Sequence, residues 1–224
     1  MALHIVSTPI GNLDDITIRA LEVLKSADLI AAEDTRHSGI LLKKYAIETK
    51  AISFHAHSGK TKVDKIITAL KSGKNVALIS DAGTPGISDP AYSLIQAALE
   101  HSITIIPIPG PSAFLTALTA SGLPINTFLY LGFFPTKKGR HTLLTSLKEE
   151  KRTVVFYESP HRIVKTLHQL NEYLDPERKL VIARELTKIH EEFIRGTIGE
   201  IKKHYEHRKP KGEFVVVLGG ANMV

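Results

Sequence analysis

The sequence predicts an α/β protein. Its first half forms a parallel sheet with helices on both faces, and its second half forms another, mixed α/β layer. Three observations predict this. Short β-branched runs alternate with segments of helical period through the first half. Those runs are rich in Val and Ile and alternate little between apolar and polar, as strands buried on both sides do. Three loops of unusual Gly and Pro content follow strand-like runs: TPIGN (8–12), SDAGTPG (80–86) and PGPSA (109–113).

The elements follow in order. HIVST (4–8) reads as a strand. ITIRALEVLKSA (16–27) reads as a helix, with Ile16, Ala20, Val23, Leu24 and Ala27 on one face. DLIAAE is a strand, TRHSGILLKKY a helix and AISF a short strand. VDKIITALKSGK is a helix stopped at Gly73, and VALIS is the fourth strand. In SDPAYSLIQAALE, Asp89 and Pro90 form an N-cap and first-turn pair that starts a helix. TIIPIP is a strand, and PSAFLTALTASG a helix closed by Gly122. GLPIN (122–126) marks a junction, dividing the chain into residues 1–122 and 123–224. Beyond it come FLYLGFF, the basic loop TKKGRH (136–141) and a helical LLTSLKEE. TVVFYE (153–158) is a strand, and Ser159-Pro160 opens the helix HRIVKTLHQLNEYL. KLVIARE (179–185) and EEFIRGT (191–197) are strands, IGEIKKHYEHR is a basic helix, and EFVVVLG is the last strand.

Composition excludes several classes. The 224 residues include no Cys, so there is no disulfide framework, thiolate nucleophile or Cys-bound zinc. No apolar run approaches the roughly 18 residues of a membrane helix. The start, MALHIVSTPIG, lacks the charged and apolar regions of a signal peptide, so a cytoplasmic protein is expected. The net charge of +6 is one-sided. Residues 1–124 hold 11 Lys+Arg and 11 Asp+Glu, whereas residues 125–224 hold 18 and 12. Such a field favours a polyanion, nucleic acid first, although a solvated basic surface has the same composition.

His55-Ala-His57 and His204-x-x-His207 are the close histidine pairs, and no carboxylate pattern completes a metal site around either. No metal is expected. No G-x-S-x-G elbow is present. The three Gly/Pro loops therefore carry the chemistry, since ligands of open parallel sheets bind beyond the carboxyl ends of the strands. No loop leads into a Lys as a triphosphate loop does. Asp81 would repel a pyrophosphate but suits hydroxyls or a cation. S-adenosylmethionine offers both.

Seven segments extend this reading. They are STPIGNLDDITxRAL (7–21), AEDTRHSG (32–39), SDAGTPGISDP (80–90), PGPSA (109–113), FYESPHR (156–162), ARELTKxHEE (183–192) and KGEFVVV (211–217). In this order the set resembles the tetrapyrrole methylase superfamily, and within it the branch that methylates the 2′-hydroxyl of a cytidine in small-subunit ribosomal RNA. The resemblance implies two α/β domains, an S-adenosylmethionine site in a cleft between them, and a homodimer. It implies that Pro9, Gly11, Asp81, Gly83, Thr84, Ile87, Ser112, Ala113, Tyr157 and Gly212 surround the cofactor. Thr84 stands where tetrapyrrole-modifying relatives carry Asp, and Asp81 is the candidate to replace that contact.

Methyl transfer from a sulfonium to a hydroxyl is an in-line displacement that demands alignment and a place for a proton. Candidate bases are Glu158, Glu33, Asp34 and Glu185, with Glu158 preferred because it ends a strand before a helix start. Arg36, Lys137, Lys138, Arg140, Lys202 and Lys203 are the candidate phosphate contacts to 16S ribosomal RNA within the small subunit. With 6% aromatic residues, a broad stacking platform is not expected. Two other readings stay open: a tetrapyrrole or other small-molecule methyltransferase of this fold, and a non-catalytic RNA-binding assembly module.

Overall fold

A computed structural model describes residues 1–55, 58–88 and 91–223. The chain divides into two compact units, Met1–Ser112 and Ala113–Val224.

The first unit is a five-stranded sheet of order β3-β2-β4-β1-β5. Its strands are β1 (Leu3–Val6), β2 (Leu29–Ala32), β3 (Ala51–Ser53), β4 (Val76–Ile79) and β5 (Ile105–Ile108). Every pairing is parallel. The helices are α1 (Ile18–Ser26), α2 (Thr35–Lys44), α3 (Lys60–Lys71) and α4 (Ala91–Glu100). One core joins Ala20 and Leu24 of α1 and Leu41 and Leu42 of α2 to Val6, Ile30, Ala77 and Ile79. A second core joins Ile66 and Leu70 of α3 and Leu94 and Ala98 of α4 to Leu3, Ala31, Val76 and Leu78. Adjacent strand residues thus feed opposite cores, which is why these strands show no polar alternation. Pro107 has no amide hydrogen to donate and sits on β5, an edge strand that tolerates it. The predicted face of α1 is observed, and Thr17 Oγ1 caps that helix by accepting from Ala20 N at 3.1 Å. The predicted Asp89–Pro90 cap lies outside the described residues.

The chain leaves β1 toward β2 and leaves β4 toward β5, in opposite directions along the sheet. β1 and β4 are neighbours. Their carboxyl ends therefore form the crevice where open sheets of this kind bind ligands.

The second unit is a five-stranded mixed sheet of order β6-β7-β10-β8-β9. It comprises β6 (Phe128–Phe133), β7 (Thr153–Glu158), β8 (Lys179–Arg184), β9 (Glu192–Thr197) and β10 (Phe214–Leu218). β6 and β7 are parallel, and the remaining pairs are antiparallel. Helices α6 (Arg140–Ser146), α7 (Ile163–Tyr173) and α8 (Ile198–Tyr205) bury Leu144, Leu167, Leu170 and Ile201 against Val154, Phe156, Ile182 and Val216. Helix α5 (Ala113–Thr119) packs against β7 and β10 with Phe114, Ala117 and Leu118 buried. The sequence places the junction after residue 122. The division falls before α5 because these apolar side chains belong to the second unit. Ser159-Pro160 begins a turn, with Ile163 N donating to Ser159 O, and α7 starts only at Ile163.

Candidate functional site

Four strand ends of the first unit converge. Thr8 and Gly83 exchange backbone hydrogen bonds of 2.9 and 3.0 Å, joining the first and second Gly/Pro loops. Thr84 Oγ1 donates to Pro111 O at 3.1 Å, which joins the third. Its one proton is then committed, so Ser7 Oγ, 2.9 Å away, is the donor to it. Thr8 Oγ1 donates to Ser80 O at 3.2 Å. A Cβ on Gly110 would lie 2.9 Å from Ser7 Cβ, so these loops approach closely only with glycine there. Gly83 adopts φ +79°, a left-handed backbone that glycine enters without strain.

Pro9 is buried in this weld, Gly11 and Ile87 are exposed on it, and Asp81 and Thr84 are half-buried. Ser112 is buried at the end of the third loop. Thr84 uses its hydroxyl to hold the loops together. Carboxylates gather beside it. Asp34 N donates to Asp81 Oδ1 at 3.0 Å, and Asp81 N donates to Glu33 Oε2 at 3.3 Å. The three Gly/Pro loops contain no Lys or Arg. The strand-end crevice is therefore acidic, suited to a ligand with cationic centres and hydroxyls.

Asp34 does not fit the role of base. It is the N-cap of α2, accepting from Arg36 N at 2.8 Å, and Arg36 Nη2 reaches its other oxygen at 2.8 Å. These Arg36 side-chain and backbone hydrogen bonds hold its carboxyl well below the usual carboxylate range, so it attracts protons weakly. Arg36, a candidate phosphate contact, is exposed and paired with that carboxylate.

In the second unit, Tyr157 lies near the end of β7, Ala113 begins α5, and Gly212 precedes β10 beside Glu185. The Phe114 ring, next to Ala113, stacks on Tyr130 at 4.5 Å, and Tyr130 meets Tyr157 edge-on at 5.7 Å. Burial first, and Tyr130 second, push the Tyr157 phenol well above its ordinary value, so it stays neutral. Gly212 has φ +93°, and a Cβ there would fall 2.5 Å from Glu185 Cδ. Glu185 accepts from Lys188 Nζ and from Glu213 N, both at 2.9 Å. The Lys188 hydrogen bond lowers its carboxyl's proton affinity.

Two further expectations are corrected. Glu158 is not a base poised at a surface. Its side chain is fully buried. Oε1 accepts from Ser159 N at 2.8 Å and pairs with Arg162 Nη2 at 2.7 Å. Oε2 accepts from Thr166 Oγ1 at 2.5 Å and lies 3.8 Å from Arg140 Nη1. Arg140 is buried as well and is not available as a surface phosphate contact. It donates to Gln169 Oε1, Pro135 O and Thr166 Oγ1, each at 2.7 Å. Lys137 and Lys138 of the same loop are exposed. Lys202 and Lys203 lie on α8, where Lys202 pairs with Glu206 at 3.4 Å and Lys203 is exposed. His57 lies outside the described residues. Among the described residues, no three His, Asp or Glu side chains group to hold a metal, and no helix is long and apolar enough to cross a membrane.

A parallel-sheet unit with Gly/Pro loops welded over an acidic crevice, followed by a mixed-sheet unit, matches a known architecture. The chain belongs to the tetrapyrrole (corrin/porphyrin) methylases, whose family model matches residues 2–202. Two relatives named ribosomal RNA small subunit methyltransferase I place it within that family. The one from Synechocystis sp. (strain PCC 6803) is 50% identical over 220 residues, covering 98% of this chain and 79% of the relative. The one from Thermotoga maritima is 49% identical over 218 residues, covering 97% and 98%. Two solved structures share the fold at lower identity. A uroporphyrin-III-C-methyltransferase from Thermus thermophilus has a TM-score of 0.68 at 19% identity, covering 98% of this chain and 94% of that one. A cobalt precorrin-4 methyltransferase has a TM-score of 0.74 at 17% identity, covering 97% and 94%.

Proposed function

We propose that this chain transfers a methyl group from S-adenosylmethionine to the ribose 2′-hydroxyl of a cytidine in 16S ribosomal RNA of the small subunit, working as a cytoplasmic homodimer. The observation that carries the reading is the weld of three Gly/Pro loops beside Glu33 and Asp81, at strand ends with no basic residue in those loops. The naming of relatives close to half identical over nearly the whole chain supports the RNA substrate.

The donor set fits the cofactor. Carboxylates suit its ammonium and sulfonium, Asp81 suits a ribose hydroxyl, and the backbone around Gly83 and Ile87 can approach a flat ligand. Pro9, Gly11, Ser112 and Thr84 shape or brace that wall. Ala113, Tyr157 and Gly212 enter this reading on family resemblance alone. When bound, the cofactor supplies an electrophilic methyl on a good leaving group.

The chain's own task is alignment and the proton. Loops fixed by the Thr8–Gly83 and Thr84–Pro111 bonds need no reordering on binding. Orientation of that kind lowers barriers by up to about 7–11 kcal/mol in well-aligned systems. Of the four carboxylates considered as base, Glu33 is retained, since it directly follows β2 beside Asp81. Glu158 and Asp34 are each committed to arginines, and Glu185 to Lys188. Lys137, Lys138, Lys202 and Lys203 hold phosphates without reading sequence. Titration calorimetry with S-adenosylmethionine tests the cofactor step directly. Micromolar binding that disappears in Gly83→Val supports it, and no binding to the folded wild-type chain refutes it.

A further inference from the structure

We infer that Phe133 is a nucleobase-stacking residue, seating an unpaired nucleotide of the RNA substrate beside the phosphate contacts of Lys137 and Lys138. This rests on the RNA-methylating reading above.

In β6, Leu129 and Leu131 pack toward the core under α6 and α7, whereas Tyr130 points to the other face, against Phe114. Simple alternation would send Phe133 into that core with Leu131. It does not go there. Tyr130 pairs with Val155 and Phe133 with Tyr157, so three steps along β6 match two along β7. The extra residue is a β-bulge, with Gly132 at φ +65°. The bulge re-aims Phe133 onto the Tyr130 face, 5.3 Å from the Tyr157 ring, and puts Phe134 in the core at 1% exposure. Bulges are common next to active sites because they redirect a side chain in this way.

The redirected ring is 58% exposed. The exposed ring offers apolar area to a partner, and its neighbours say which chemistry fits. Lys137 and Lys138 follow within one loop, and no carboxylate lies between them and Phe133 in sequence. That charge suits a phosphate chain, and bases stack on aromatic faces.

The chain just beyond the ring is tied down by two arginines. The two carbonyls after it are clamped from below: Arg162 Nη1 donates to Phe134 O at 3.1 Å, and Arg140 Nη1 to Pro135 O at 2.7 Å. Buried Glu158 is the counter-ion of both arginines. Glu158, Arg140 and Arg162 are thus positioning residues for the start of the basic loop. Glu158 and Arg140 are buried, and the partly exposed Arg162 is paired with Glu158, so all three brace the loop and none is free to act as a base or a phosphate contact.

The test uses the full chain and small ribosomal subunits that lack the modification. Phe133→Ala and Phe133→Leu are expected to raise KM for subunits roughly five- to hundredfold, the range set by removing one base–aromatic stack. Phe133→Trp is expected to restore KM to near wild type, because stacking needs a ring and not merely apolar bulk. The slope of log affinity against log salt stays unchanged in Phe133→Ala. In Lys137→Ala/Lys138→Ala it falls by about 0.7–0.9 for each phosphate that is no longer neutralised. Unchanged KM in Phe133→Ala overturns the inference, as does Leu restoring KM as well as Trp. Loss of S-adenosylmethionine affinity in Phe133→Ala would assign the ring to the cofactor site, and a change in molecular mass would assign it to an interface between copies. Either result overturns the inference. A wild-type chain that methylates no subunit refutes the RNA reading itself, whereas normal wild-type turnover with an unaffected Phe133→Ala refutes only this inference.

Discussion

Glu158 Oε1 lies 2.7 Å from Arg162 Nη2, and neither oxygen of that carboxylate reaches solvent. A carboxylate at a strand end before a helix has the placement of a general base, but here Ser159 N, Arg162 and Thr166 occupy it. Glu158→Gln should therefore act on stability. It leaves Arg140 and Arg162 without their counter-ion, and removing one partner of a buried pair costs about 3–5 kcal/mol. Melting curves should show a large drop. The kcat of the folded fraction at low temperature should stay within about threefold of wild type. Loss of a true base would cost about 10²–10⁴-fold.

The Thr84 hydroxyl joins Ser7 to the carbonyl of Pro111. Thr84→Val keeps the shape and removes both hydrogen bonds. It should cost about 1–3 kcal/mol of stability. It should also weaken S-adenosylmethionine binding by roughly tenfold, because the three loops lose their common tie. Thr84→Ser should restore most of both. Calorimetry and melts on the two variants check this.

Gly212 is crowded by Glu185 and lies at φ +93°. Gly212→Ala should cost about 1–3 kcal/mol of backbone strain. It should also displace the Glu185 carboxylate from Lys188 and Glu213 N. Adding Glu185→Ala relieves the clash but not the strain. The double variant should then be less destabilised than the sum of the two single changes, which a double-mutant cycle measures.

Glu150 gives a pH-dependent prediction. Hydrogen bonds from the Arg152 side chain (2.7 and 2.8 Å) and backbone (2.9 Å) lower its carboxyl from 4.5 to about 2. Folding favours the ionised form, so this contribution is whole above pH 4.5 and is lost as the pH falls toward about 2. Arg152 is half exposed, so the pair is worth about 1 kcal/mol. Glu150→Gln should lower Tm by about 2–4 °C at pH 7. That gap should close in melts recorded at successively lower pH below 4.5.

Much of the fold was legible in local pattern. The β-branched runs, the face of α1 from Ile16 to Ala27 and the three Gly/Pro loops reflect short-range rules of period, capping and backbone freedom. The convergence of those loops was legible from parallel topology. What escaped the sequence is long-range. Nothing near Arg140 announces that Gln169 and Thr166, a helix away, will bury its guanidinium. Lys137 and Lys138, in the same loop, stay exposed. The apolar face of α5 fits either side of a junction, and only its packing on β7 and β10 assigns it to the second unit. The bulge at Gly132 was hidden because FLYLGFF reads as one apolar run. A single inserted residue decides which Phe is core and which is exposed.

Methyl transfer to the small ribosomal subunit is the decisive measurement. The purified chain is incubated with isotopically labelled S-adenosylmethionine and subunits from a strain lacking the modification. The RNA is then digested to nucleosides and resolved by mass spectrometry. The structure and its family predict label on the ribose of one cytidine of the small-subunit RNA. Label on a base, on a tetrapyrrole supplied in competition, or nowhere in the RNA would contradict the proposed function.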